Sequence, residues 1–469
     1  MLDSLFKVRA NWFTLIGFAI LLLLLFPGLT LLTFIALTVT MFQFVLLFYS
    51  FGYVIPVRYL AGALMCIQML VGPSMAYMGL DQYQYFKYKM QVSEYEYFSY
   101  AIPAVCAFIV GLNFNSQLKG EFLEIDAIKD YVPKHPRMIY IFIIGGFLSS
   151  VVSSFFGAEF GFIFYLLGSF KYIGIFLMVI GNLKLKPLPI IIVFGSAVVS
   201  SLGSTMFHDL ITWLIFFLAV IAIKYKPSVP VKTAVASVFV MLVLIIQLTK
   251  GAYREATSYN SQDRNLDKFG EVLKTQEKSG TLFSTESLAH SSVRINQGFI
   301  VTHILNHIPR EEPFANGEEL VRILEAAFLP RFLAPNKLKA GDNSLVLKYS
   351  GIQLHEDTSM SLSSLGDGYI NFGVAGGCIF MMVLGGFFNF ILSMFGKLGK
   401  TYPIAVLFTP LAFYFPIRPD TALQTGLGHL VKASFLLYFI LVIWKHQFKR
   451  VRKPVAVPAQ EEEAEALPA

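Results

Sequence analysis

The chain has 469 residues, of which 55% are hydrophobic and 14% are charged, and its mean hydropathy is +0.63. Soluble domains average about 25% charged residues, so the composition excludes an ordinary soluble protein and indicates a polytopic membrane protein. The formal net charge of +7 does not predict a nucleic-acid partner, because the surplus lies mainly in short segments beside apolar runs, where it sets membrane topology.

Apolar runs long enough to cross a bilayer recur along the chain. About 20 apolar residues span the roughly 30 Å hydrocarbon layer. The first run is expected to be a retained span, because no small-residue cleavage site follows it. Hydropathy places about twelve candidate helices at approximately 11–26, 29–50, 54–79, 97–113, 138–156, 161–181, 187–205, 209–223, 231–249, 367–395, 402–417 and 424–444. We therefore predict an all-α polytopic membrane protein.

Basic clusters between these runs predict the orientation, since cytoplasmic loops carry an excess of Lys and Arg. If the N-terminus is cytoplasmic, the residues that fall inside are Lys7, Arg9, Lys119, Lys129, Lys134, Arg137, Lys184, Lys186, Lys224, Lys226, Lys232, Lys397, Lys400 and the basic tail from Lys445 to Lys453. Both termini are then cytoplasmic. The expected organisation is a membrane bundle (1–249), a large outer loop (250–366), C-terminal membrane helices (367–444) and a basic tail of disordered composition (445–469).

The outer loop is too long to be a simple connection, because loops beyond about 12 to 15 residues are usually functional or disordered. Its part 250–290 has mixed charges and little sustained periodicity. Its part 294–333 carries apolar residues at helical spacing, with a helix start predicted at Asn316-Gly317-Glu318-Glu319 and an end at Pro330. His303 and His307 could share one helix face, but no further ligand stands at a recognisable spacing, so no metal site is predicted.

Three arginines lie near the points where the chain re-enters the membrane: Arg294, Arg331 and Arg418. A guanidinium group binds phosphate oxygens bidentately, and a diphosphate at a lipid interface would suit all three. The alternative is that they are ordinary interfacial arginines that pair with lipid headgroups.

Two motifs of this chain, PRFLAPNK (330–337) and LGDGYINFGVAG (365–376), resemble those of the O-antigen polymerases called Wzy. Those proteins typically show a proline-arginine, a proline-lysine, then an acidic residue, a tyrosine and Asn-Phe-Gly before a late span. The resemblance implies a GT-C-like membrane glycosyltransferase of the bacterial inner membrane, with its large loop in the periplasm. Its donor and acceptor would be undecaprenyl-diphosphate-linked oligosaccharides, with no cofactor and with a chain-length regulator as a possible partner.

The resemblance also implies roles for individual residues. Arg331 and Lys337 match the basic positions that would hold the donor diphosphate, and Arg294 would act similarly. Asp367 stands where the family commonly has glutamate, and it is either the general base for the acceptor hydroxyl or the N-cap of a helix that begins near Gly368. Further candidates for substrate binding are Tyr369 and Asn371, which could contact sugar or pack helices, and the pair Arg418 and His429, which could contact diphosphate.

Two other functions compete with polymerisation. An O-antigen ligase shares the same plan but delivers the glycan to a lipid A core, and the LGDGYINFG segment favours the polymerase. A flippase or transporter of lipid-linked glycans should carry charges along a central cavity, yet most predicted spans are nearly uncharged apart from Arg58, Glu159 and Lys171.

Overall fold

The computed structural model describes residues 12–84, 88–114, 125–155, 158–181, 187–258, 263–329, 337–338, 341, 343–355 and 358–448. Within these residues every regular element is a helix. Before the outer loop the helices are α1 (Trp12–Leu25), α2 (Leu31–Ser50), α3 (Val57–Tyr77), α4 (Glu94–Asn113), α5 (Ile125–Tyr131), α6 (Arg137–Val152), α7 (Ala158–Gly168), α8 (Phe170–Ile180), α9 (Pro187–Ser204), α10 (His208–Tyr225) and α11 (Val229–Ala256).

Between α11 and the next apolar helix, the described residues of the outer loop form five helices. The loop helices are α12 (Leu266–Lys278), α13 (Thr285–Ile295), α14 (Gly298–His307), α15 (Glu318–Phe328) and α16 (Asn343–Ser350). The remaining ones are α17 (Ser363–Thr401), α18 (Pro403–Ala412), α19 (Leu423–Ile443) and α20 (Lys445–Phe448). The predicted helix start near Asn316 is confirmed, because α15 begins at Glu318.

Nine helices in the described part of the chain are long and apolar enough to cross a membrane. They are α2, α3, α4, a continuous stretch of α7 and α8, α9, α10, α11, α17 and α19. A tenth is formed if α5 and α6, which meet at 88°, count as one span, while α1 and α18 are apolar but shorter. Each predicted run therefore falls on an apolar helix. The all-α, multi-pass class is confirmed, whereas the number of twelve and the GT-C-like arrangement stay predictions.

The closest helix packing joins α4 to α17, and glycines permit it. A Cβ placed on Gly111 would lie 2.1 Å from the carbonyl oxygen of Met382, and one on Gly385 would lie 2.2 Å from that of Phe108. Small residues let membrane helices approach backbone to backbone in this way. The pair α4 and α17 thus forms the centre on which the candidate site is built.

The described residues of the part 250–290 of the outer loop, 250–258 and 263–290, are mostly helical and pack on the end of α11. Helix α11 extends to Ala256, and its Tyr253 ring packs 5.3 Å from the Phe269 ring of α12. Phe207, just before α10, lies 5.6 Å from the same ring. These aromatic contacts fix α12 against the bundle.

Candidate functional site

The LGDGYINFG segment forms a short helix that folds back on the span that follows it. Gly373 has φ 65° and ψ −161°, so α17 consists of two helical parts, 363–372 and 374–401, joined at a sharp bend. A positive φ of this kind favours glycine. Gly368 lies against the second part, since a Cβ on it would be 3.4 Å from the Cα of Gly377. The bend lets the first part of α17 pack against the second part near Gly377.

This first part is the surface on which the outer loop docks. The backbone N–H of Ala315 donates to the Ile370 carbonyl at 2.9 Å. The Tyr369 hydroxyl donates to the Ile308 carbonyl at 3.4 Å, and its ring lies 5.6 Å from that of Phe314. Tyr369 is thereby engaged within the protein, which favours packing over sugar contact.

Asn371 joins α17 to α15. Its Oδ1 accepts the Leu320 N–H at 3.0 Å, and its Nδ2 donates to the Asp367 carbonyl at 2.9 Å. Helix α15 begins after Gly317, which has no side chain with which to cap it. The first N–H groups of a helix need an acceptor from outside the helix, and Asn371 supplies one. Its position again favours helix packing over sugar contact.

Asp367 differs from Tyr369 and Asn371 in the hydrogen bonding of its side chain. Its side chain is only 6% exposed, yet among the residues that the structure describes none donates a hydrogen bond to its carboxylate. The alternative role as N-cap is wrong, because the helix begins at Ser363, whose Oγ accepts the Gly366 N–H at 3.2 Å. Burying a carboxylate without a hydrogen-bond donor is costly, and within the described residues Asp367 has this unfavourable surrounding.

Glu319 of α15 is the second buried carboxylate of the site, and the sequence analysis did not select it. One oxygen accepts from Arg322 Nη1 at 3.0 Å and from the Tyr349 hydroxyl at 3.1 Å. Lys348 Nζ donates to that hydroxyl at 3.1 Å and pairs with Glu312 at 3.3 Å. Burial raises the pKa of Tyr349, so its hydroxyl remains a donor, and the bond to that hydroxyl raises the pKa of Lys348.

The sequence around Glu319 contains little that would mark this residue as part of a site. An acidic residue in the first turn of a helix is common, because it interacts favourably with the helix dipole. Its burial depends on α15 packing against α17, which periodicity along one helix does not reveal.

Arg418 lines a cavity beside the first part of α17. Ser364, one helical turn before Asp367, contributes to the same wall, and the other walls are mostly apolar, with Met65, Phe108 and Leu427 among them. The cavity therefore combines one guanidinium with mostly apolar walls.

The Arg418 guanidinium is held by Asp420. Arg418 Nη2 donates to Asp420 Oδ2 at 3.0 Å. Burial by itself would raise the pKa of Asp420, but the charge and hydrogen bonds of Arg418, with a hydrogen bond from Gln68, hold that pKa below its ordinary value. The carboxylate thus orients the guanidinium at the cavity.

The loop segment that follows Arg294 reaches the same Gln68. Arg294 lies near the C-terminal end of α13, and three residues later the Gln297 N–H donates to the Gln68 carbonyl at 3.1 Å. Gln68 belongs to a π-helical turn of α3, Ile67–Val71, whose widened backbone leaves carbonyls available. The structure therefore brings Gln297, which follows Arg294, and Asp420, which holds Arg418, to one turn of α3.

Two other predicted site residues, Lys337 and His429, do not line this cavity. Lys337 Nζ donates to the Ala326 and Leu329 carbonyls, at 3.3 and 2.7 Å, and so caps the C-terminal end of α15. His429 is buried, its Nε2 donates to the Leu411 carbonyl at 2.9 Å, and its ring meets that of Phe415 edge-on. Arg331 lies outside the described residues.

No family model, curated protein or solved structure matches this chain. A functional interpretation therefore depends on its own residues and on the resemblance of its two short motifs.

Proposed function

We propose that this protein polymerises oligosaccharide repeat units carried on undecaprenyl diphosphate, at the outer face of a bacterial inner membrane. The observation that carries the proposal is Asp367, a buried carboxylate to which no described residue donates a hydrogen bond, one turn from a cavity with Arg418 on its wall. The polymerase motifs place an acidic residue at this position, and the geometry leaves that residue unengaged by the fold.

The proposed reaction follows from the Asp367 carboxylate and the Arg418 guanidinium. An acceptor hydroxyl attacks the anomeric carbon of the donor glycan, the bond from that carbon to the diphosphate oxygen breaks, and Asp367 takes the hydroxyl proton. Arg418 neutralises charge on the leaving diphosphate, as do Arg294 and the basic residues of the PRFLAPNK motif, Arg331 and Lys337.

The test uses purified protein in proteoliposomes with lipid-linked repeat units as the only donor and acceptor. We expect a ladder of polymer from the wild type and at least about a 100-fold slower ladder from Asp367→Asn, since general-base catalysis contributes about 10²–10⁴-fold. Asp263→Asn, which changes an exposed acid of the outer loop, is the matched control and should leave the rate unchanged.

Three outcomes would contradict the proposal. Full activity of Asp367→Asn at normal abundance in the membrane would remove the assigned base. Transfer only to a lipid A core acceptor would indicate a ligase. Movement of the lipid-linked unit across the bilayer without glycosidic bond formation would indicate a flippase.

A further inference from the structure

Two arginines from different parts of the chain bind the turn that joins α9 to α10. Arg254, near the end of α11, donates through Nε to Thr205 Oγ1 at 3.0 Å. Arg264, just before α12, donates through Nη1 to the Gly203 carbonyl at 3.2 Å. Because Gly203 and Thr205 are only two residues apart, both guanidinium groups lie beside the same turn.

Neither guanidinium is neutralised within the described part of the chain. Glu255 and Asp263, the exposed acidic neighbours of these arginines in sequence, form no ion pair with them. Arg254 donates to Thr205 through Nε, which leaves Nη1 and Nη2 without an acceptor among the described residues. The Nε of Arg264 is buried and also has no hydrogen-bond partner there. A buried donor without an acceptor is unusual in a folded protein, and a bound ion is one explanation.

The position of Arg254 along α11 corresponds to the level of the lipid head groups. Near the start of α11, Lys232 Nζ donates to the Phe51 carbonyl at 2.5 Å, and Arg254 follows 22 residues later. At a rise of 1.5 Å per residue the two lie about 33 Å apart along the helix. This length is close to the roughly 30 Å thickness of the hydrocarbon layer, so Arg254 lies where that layer ends.

The part of α11 that precedes Arg254 presents an apolar surface to the surrounding lipid. None of the residues in the apolar 18-residue window of α11 is buried. Val238, Val240 and Met241 are among its exposed side chains. An anion with an attached hydrocarbon chain could contact both the arginines and this surface, whereas a soluble anion would contact the arginines alone.

We propose that Arg254 and Arg264 form a binding site for the phosphate group of a membrane lipid. Guanidinium groups bind phosphate oxygens bidentately, and basic clusters at the membrane surface attract anionic lipids. The bonds to Thr205 and Gly203 orient both groups before a lipid binds. The ligand class is a phosphate on an apolar chain, as in an anionic phospholipid or a polyprenyl diphosphate. The inference is independent of the proposed function, because lipid binding is measured without glycosyl transfer.

The experiment measures lipid binding to the purified, delipidated protein by native mass spectrometry. The probes are phosphatidylglycerol and undecaprenyl diphosphate, with diacylglycerol as a lipid that has no phosphate. Combining Arg254→Gln with Arg264→Gln should weaken binding of the preferred phosphate lipid about 30-fold, the contribution expected of two basic residues near a membrane surface. Combining Lys274→Gln with Lys278→Gln removes the same charge from exposed positions of α12 and should leave binding unchanged.

The relative affinities of the two phosphate lipids identify the source of the phosphate. Equal affinity of the wild type and the double arginine variant for both lipids would overturn the inference. The same loss in the double lysine variant would also overturn it, because general charge would then attract the lipid. Displacement of bound lipid by an equal concentration of inorganic diphosphate would indicate a site for soluble anions instead. If the double arginine variant fails to fold, Arg254→Gln and Arg264→Gln decide singly, each with an expected loss of about fivefold.

Discussion

The Oδ1 of Asn371 accepts the backbone N–H of Leu320 at 3.0 Å, so a helix of the outer loop begins on a side chain of the helix that leads into the membrane. The two residues are far apart in sequence, and the bond makes the position of α15 depend on α17. Helix α15 carries the buried Glu319 and α17 carries the buried Asp367, so this cap joins the two helices that hold the buried carboxylates.

Replacing Asn371 should therefore loosen α15. Asn371→Leu removes the cap, which is worth about 1 kcal/mol, and should speed hydrogen–deuterium exchange in the first turn of α15 about fivefold. Asn371→Asp keeps an acceptor and should show a smaller effect. Asn306→Ala, at an exposed asparagine that accepts from Arg310, is the control. Unchanged exchange in Asn371→Leu would show that the cap does not hold α15.

The close approach of α4 and α17 predicts a sharp difference between adjacent glycines. A Cβ on Gly385 would meet the Phe108 carbonyl at 2.2 Å, whereas one on Gly386 would meet nothing within 4 Å. Gly385→Ala should destabilise the protein by about 1–3 kcal/mol, the usual cost of overpacking, seen as a lower melting temperature in detergent. Gly386→Ala should be neutral or slightly stabilising, since alanine favours helix. Equal melting temperatures for the two variants would contradict this packing.

The Arg418–Asp420 pair predicts a pH-dependent contribution to stability. Because the pKa of Asp420 is lowered in the folded protein, its contribution is complete above the ordinary aspartate pKa of about 3.9 and is lost as pH falls through the lowered value. At neutral pH, Asp420→Asn should cost about 2 kcal/mol, as for a hydrogen bond between charged groups. The measurement is the difference in melting temperature from the wild type across pH.

The control for this pair is Asp126→Asn. Asp126 lies 3.7 Å from Lys129 and its side chain is 94% exposed, and exposed pairs contribute little. We expect no change in melting temperature at any pH. A cost for Asp420→Asn that persists unchanged at acid pH would mean that charge is not what holds Arg418.

Lys337 has two candidate roles, capping α15 and binding the donor diphosphate, and one experiment separates them. Its ammonium caps the C-terminal end of α15, where a cation contributes about 0.3–1 kcal/mol. Lys337→Met should accelerate hydrogen exchange in the last turn of α15, while Lys274→Met, an exposed lysine of α12, should not. A loss of polymer synthesis with unchanged exchange would instead assign Lys337 to the diphosphate.

Much of the fold could be predicted from the sequence, because a bilayer imposes a strong local requirement. Each backbone polar group in hydrocarbon must be satisfied within its own helix, so runs of about 20 apolar residues already fix where spans lie. The loop helix α15 was also predictable, since a Gly-Glu-Glu start and a nearby proline are local signals.

Only the position of the candidate site in the sequence was predictable. The motif around Asp367 was found because it is contiguous, and the Arg418–Asp420 pair lies within three residues. Which polar groups are already engaged was not predictable. Asn371 and Tyr369 looked as available for substrate as Asp367, and Lys337 looked as free as Arg418.

The sequence by itself determined that this is a helical membrane protein with a large polar segment whose end carries the chemically distinctive residues. Only the tertiary structure decided that Asp367 is buried with no donor to its carboxylate among the described residues, and that Asn371 caps α15. The physical reason is the separation along the chain over which each effect acts. Helix formation and bilayer burial depend on neighbours within a few turns. Hydrogen-bond satisfaction and charge repulsion depend on which distant segments meet. A bend at Gly373 and close contact between α15 and α17 bring those segments together.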